Sequence, residues 1–198
     1  MLHVRQRLQV YRFFSQLFRY PDAGLLQEIA AGRIDEIAAW LQLPGPVDVP
    51  QNVADLQEEY TGLFIARQGG IPAPLYGSVY LDDDGRLMGA STVRVADCYR
   101  ARGLSLDDDG EPADFLSTEL EYLYFLVGRE VDGLSERQLE KVREMTTAQR
   151  DFLTTLLLPW LEPFSERLRP LGDGLYPWAA RALLVFVRQE SAWLEKLT

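Results

Sequence analysis

The chain has 198 residues, 47% of them hydrophobic, enough for one domain or a compact two-lobed one that folds without disulfides or a structural metal. One cysteine, Cys98, and one histidine, His3, exclude an internal disulfide, Cys/His metal centres and catalytic sites that need a histidine base. A formal net charge of -10, from 30 Asp and Glu against 20 Lys and Arg, argues against a nucleic-acid binder and favours a cationic partner.

The predicted elements are helical almost throughout. Val4, Leu8, Tyr11, Leu17 and Phe18 form one apolar stripe of a helix ending before Pro21, with His3 in a segment expected to fray. Leu25 to Leu41 repeats the pattern, with a break at Gly32. Pro44, Gly45, Pro46 and Pro50 force a linker, and Asn52 caps a helix reaching about Ala66. The Gly- and Pro-rich stretch from Gln68 to Gly77 reads as an ordered loop carrying apolar groups. Val79, Tyr80 and Leu81 are the one short strand candidate. A helix follows from about Ser91 to Arg102. The acidic segment from Gly103 to Pro112 then reads as a hinge between an N-terminal lobe (about 1–102) and a C-terminal lobe (113–198). Helices are expected from Asp114 to Arg129 and from Ser135 to about Leu158. Pro159 and Pro163 are expected to interrupt the pattern, and a last helix runs from near Pro177 at its N1 position to Leu197. The fold class is therefore all-α, a single helical bundle of two lobes. No apolar run approaches a membrane span and no export signal is evident, so a cytoplasmic protein without stable membrane insertion is expected.

Neither a phosphate loop nor a dinucleotide fingerprint occurs, and nothing points to catalytic residues. What stands out is the position of certain carboxylates. At ~100° per residue, Glu119 falls inside the apolar arc of its helix and Glu59 borders that of its own. A carboxylate withdrawn from water needs a partner. That partner is either internal, a helix terminus or an arginine such as Arg94 or Arg100, or a guanidinium supplied by a bound peptide. Asp114, at a helix start, is either a cap or a ligand for the same peptide. Tyr76 and Tyr80 are either packing groups or aromatic walls of a peptide site. The runs Asp82 to Asp84 and Asp107 to Asp109 read as solvated turns.

Glu59-Tyr60-Thr61-Gly62-Leu63-Phe64 resembles the E-Y-x-x-L-F signature of the TorD/DmsD/NarJ-type chaperones, which mature molybdenum-cofactor oxidoreductases. Pro72 to Tyr80 resembles that family's P-x-x-P-x-E-S-V-Y loop, and Glu111-Pro112-Ala113-Asp114-Phe115 with Glu119-Leu120-Glu121 resembles its E-P-x-D-H-x-x-x-E-L-E stretch. Tyr11 to Pro21 fits its first helix, so the likeness runs to about Leu126. Two positions depart: Gly77 stands where the family usually has Glu, and Phe115 where it usually has His.

The resemblance implies an all-α chaperone that binds the twin-arginine signal peptide of an apo-form molybdopterin oxidoreductase catalytic subunit, assists cofactor insertion and prevents premature export. It implies a monomer or a homodimer, domain-swapped in some members, with weak GTP binding in some and no other cofactor. Carried onto this chain, it makes Glu59, Tyr76, Ser78, Tyr80, Asp114, Phe115 and Glu119 the peptide-binding candidates. Tyr60, Leu63, Phe64, Pro72, Pro74 and Pro112 become structural ones. The competing readings are a helical scaffold or assembly factor and a GTP-binding switch, neither with a signal-peptide role.

Overall fold

A computed structural model describes residues 2–82, 87–107 and 110–197; the expectations for Asp83, Asp84, Asp108 and Asp109 lie outside the described residues. Helix α1 (Val4–Leu17) buries Val10, Tyr11, Phe13, Phe14 and Leu17. His3 does not fray: its Nδ1 accepts from the Arg5 amide at 3.5 Å while the Gln6 side chain accepts from the His3 amide at 2.9 Å, a capping box. Asp22 caps α2 (Ala23–Ala30) through the Leu25 amide. Gly32, at φ 89°, breaks the chain before α3 (Arg33–Leu41), because the left-handed turn there strains any residue with a Cβ.

The linker is pinned by Trp178, whose indole donates to the Pro44 carbonyl at 2.8 Å. Asn52 caps α4 (Val53–Tyr60) as expected, and the helix widens into a π turn at Thr61–Ile65. The strand candidate is corrected: Val79 to Leu81 belong to the one-turn helix α5 (Ser78–Leu81). It has no neighbouring strand to pair with, since the described residues hold only two isolated β-bridges, Asp48 with Gly174 and Tyr76 with Phe115. Next comes α6 (Ala90–Arg100), whose Ser91 amide and hydroxyl both donate to Asp82.

The second half comprises α7 (Leu116–Ser135), α8 (Leu139–Phe152), α9 (Leu158–Leu168) and α10 (Leu175–Leu197). The expected interruption by proline is also corrected. A π turn at Leu153–Leu157 joins α8 to α9 without a break, and Pro163 sits inside α9. Both prolines are exposed, and the Thr155 carbonyl, four residues before Pro159, accepts from Arg94 at 3.4 Å. The final helix starts two residues before Pro177, which the first turn accommodates because its amides have no partner within the helix.

Helix α1 lies along α7, α7 along α8, and α10 against α8 and α9 while also touching α3. One buried apolar cluster runs from Val10 to Leu194 across both sides of the 103–112 segment. At its centre Phe18, Tyr60, Phe64, Phe164 and Tyr176 meet edge to face, bringing α1, α4, α9 and α10 together.

Deep in the bundle Arg7 joins four helices. Its Nε donates to Glu190 at 2.5 Å, one Nη to both oxygens of Glu130 at 3.0 and 3.1 Å, and the other Nη to Gln149. Gln149 in turn donates to Glu130 at 2.9 Å. Arg7 is 1% exposed, so the guanidinium survives burial only because its donors meet fixed acceptors.

Candidate functional site

The Pro-rich loop docks on the start of α7 by a short run of backbone pairing. The Leu116 amide donates to the Leu75 carbonyl and the Gly77 amide to the Asp114 carbonyl, both at 2.9 Å, so that Tyr76 lies opposite Phe115. Pro112 forms the preceding turn, its carbonyl accepting from the Phe115 amide at 3.0 Å. On the other side Ala73 donates to the Leu63 carbonyl, which fastens the loop to the π turn. The loop is thus held from two helices, with Pro72 and Pro74 half-buried within it.

Above this seam lies an open cleft of about 340 Å³. Tyr60, Phe64, Leu75, Tyr76 and Phe115 form its apolar walls, and Glu111 stands at its edge. Tyr60 and Phe64 stand edge to face, and the Tyr60 hydroxyl donates to the Phe18 carbonyl at 3.0 Å. Tyr76 leans on Phe115 at 5.5 Å and donates to Glu111 at 2.8 Å. Burial, then the Glu111 acceptor, raise the Tyr76 phenol, so it keeps its proton as a donor. The rim holds the exposed Tyr20 and Ile65.

The carboxylates that sequence reasoning singled out are not on that surface. Asp114 is 1% exposed, and its Oδ2 accepts from the Ser78 amide at 2.7 Å at the start of α5. The cap weighed for it at the start of its own helix is corrected: it caps α5 instead, and α7 begins after Phe115 without a side-chain cap. Its Oδ1 and the Ser78 hydroxyl are buried without a hydrogen-bond partner. Glu119 is equally buried and accepts from the Trp160 indole at 3.1 Å, with neither Arg94 nor Arg100 beside it: Arg94 reaches Thr155, and Arg100 pairs with Asp97. Desolvation first, and then the neighbouring Asp114, push the Glu119 carboxyl well above its ordinary range. Tyr80 stacks on the far side of Trp160 at 5.6 Å, with its hydroxyl on the Pro74 carbonyl and the Arg167 guanidinium over its ring.

Glu59 stands apart from the cleft. It accepts from the Tyr176 backbone N–H at the beginning of α10, beside Asp48, and burial outweighs that hydrogen bond to raise its pKa. That carboxylate takes up one of the amide donors that the first turn of α10 leaves without a helical partner. The Gly77 departure is explained by packing, because a Cβ there would lie 2.9 Å from the Trp160 Nε1. The structure therefore gathers Tyr60, Phe64, Tyr76 and Phe115 at one cleft, and places Ser78, Asp114 and Glu119 behind it.

Comparison with known proteins identifies the family. Residues 27–166 match the family model described as nitrate reductase delta subunit. A chaperone protein TorD of Vibrio cholerae (El Tor Inaba N16961) is 31% identical over 97% of this chain and 93% of its own length. The chain belongs to the nitrate reductase delta subunit family of TorD-type redox enzyme maturation chaperones. Another relative is a selenate reductase assembly chaperone protein of Thauera selenatis, 33% identical over 87% of this chain and 81% of its own length. A crystal structure of a candidate redox enzyme maturation protein from Archaeoglobus fulgidus superposes with a TM-score of 0.53 at 26% identity, covering 98% of this chain and 96% of that one. The TorD-type relatives are chaperones, not enzymes. Among the described residues no Asp, Glu, His or Cys cluster could hold a metal ion, and no helix is long and apolar enough to cross a membrane.

Sequence reasoning missed Glu111, Tyr20 and Trp160 as parts of this region. Trp160 had no readable signal, because its partner Glu119 is 41 residues away. The Arg7 network did have one: Arg7 shares a stripe with Val4 and Tyr11, Glu130 with Leu126 and Val127, and Glu190 with Phe186 and Val187. Three charges on apolar stripes, one basic and two acidic, are a sign of mutual pairing.

Proposed function

We propose that this protein is a cytoplasmic chaperone that binds the N-terminal signal region of a molybdopterin oxidoreductase precursor and holds the apo-subunit until its cofactor is inserted. The observation that carries this reading is the aromatic cleft between the Pro-rich loop and the π turn, with the Glu111 carboxylate at its edge. Apolar side chains of a signal peptide would fill the wall formed by Phe64, Leu75 and Phe115, and Glu111 would add to the negative charge that favours a cationic peptide. The names of the relatives, TorD and a selenate reductase assembly chaperone, support a reductase subunit as the client class. Behind the cleft Asp114, Ser78 and Glu119 act as its foundation, in either a monomer or a swapped homodimer.

Affinity purification from the cytoplasm of the native host, followed by mass spectrometry of captured N-termini, tests the proposal. The expected result is a molybdopterin oxidoreductase subunit still bearing its uncleaved twin-arginine signal. Capture of mature complexes alone would overturn it in favour of a scaffold.

A further inference from the structure

A second depression, about 470 Å³, lies between the end of α1 and the outer face of α2. It shares Arg19 and Tyr20 with the aromatic cleft, so the two are neighbouring parts of one surface with Tyr20, 54% exposed, at the divide. The two parts differ in chemistry. The cleft side is walled by Phe64, Leu75 and Phe115, whereas the α2 side presents Gln27, Glu28 and Asp22. Counted together, the linings hold three carboxylates, Asp22, Glu28 and Glu111, against the single cation Arg19, whose guanidinium is drawn to Glu121 at 3.3 Å. Glu28 accepts from Arg12 at 2.8 Å in a solvent-exposed pair, of the kind that contributes little and leaves a carboxylate oxygen for another donor.

We propose that the cleft and the α2 depression form one groove that takes the signal peptide in a single direction, its apolar segment against Phe115 and Leu75 and its basic end along α2 over Glu28. This rests on the signal-region reading above and adds to it a site for the arginines and an orientation. The dimensions agree: the eight residues of α2 span about 12 Å at 1.5 Å each. That is the reach of three to four extended peptide residues, room for an arginine pair and its flanks. Tyr20 packs edge to face on Tyr60 at 5.6 Å and gives the peptide a rigid aromatic step where its character changes.

The test uses the full chain and two short synthetic peptides of one composition, one with an arginine pair preceding a Leu- and Phe-rich segment and one with that order reversed. Each carries a benzophenone at its N- or C-terminal end, and crosslinks are mapped by mass spectrometry. In the arginine-first peptide the basic end should label residues 23–30, and the apolar end the 61–65 turn or the 71–76 loop. Glu28→Gln should weaken this peptide about two- to fivefold at low salt, and should not weaken a version with both arginines replaced by glutamine. Crosslinks in the opposite sense, equal binding of the reversed peptide, or an unchanged Kd in Glu28→Gln would overturn the groove while tight binding by the wild-type chain left the signal-region reading standing. No binding of either peptide would overturn both.

Discussion

Glu119 has no ion-pair partner among the described residues; its recorded hydrogen-bond donor is the Trp160 indole. Desolvation raises its folded-state pKa above the ordinary 4.5, so its stabilising share is whole below about that pH and is lost as pH rises toward the folded pKa. Glu119→Gln keeps an oxygen for the indole and turns an amide toward the unpartnered Asp114 Oδ1. The variant is expected to melt at or above the wild-type temperature, with a gap that widens as pH rises above the ordinary glutamate range. Thermal melts at rising pH check it; a gap independent of pH would show that Glu119 is ionised in the folded protein. The aromatic partners of the same region were only half legible in the sequence. Periodicity put Glu119 on an apolar face, but which donor met it depended on Trp160 reaching it from α9, 41 residues on.

Helix α1 is tied to α7, α8 and α10 by a single guanidinium. Removing it leaves Glu130 and Glu190 buried without their cation. Breaking one side of such a network costs far more than the intact network contributes. Arg7→Met is expected to lose about 3–5 kcal/mol in urea denaturation. Adding Glu130→Leu, Gln149→Leu and Glu190→Met should restore most of that loss, because an apolar set of similar volume leaves no buried polar group unpaired. A quadruple variant as unstable as the single one would mean that the network's geometry, not its charge balance, holds the four helices. At this scale the elements themselves were readable: Gly32, Asn52 and the apolar stripes marked their boundaries. Pro159 and Pro163 misled: Pro159 stands in the first turn of α9 directly after the π turn, and Pro163 lies inside that helix with its ring exposed.

Across the whole molecule the buried cluster does not divide at residues 103–112, since α1 packs along α7 and α3 touches α10. Unfolding is therefore expected as one cooperative transition, with near- and far-ultraviolet circular dichroism coincident in urea. A fragment of residues 1–102 should remain unfolded, because α1 would expose the face that α7 covers. Two separated transitions would instead mark two independently stable lobes. The same long-range packing explains why the cleft was legible only in part: Tyr76 and Phe115 were named as neighbours of a peptide, while Glu111 joined them through its hydrogen bond from Tyr76 and Tyr20 through its packing on Tyr60.

From sequence alone came the helical class, the cap at Asn52, the carboxylates on apolar faces and the family likeness, since each depends on spacing within a few turns or on an ordered set of short motifs. Tertiary structure decided which of those carboxylates meet solvent. Glu59 caps α10, Asp114 caps α5 and Glu119 meets Trp160, each with a partner at least 36 residues away. Burial depends on what covers a face, and that is set by the packing of distant helices rather than by the period of any one of them.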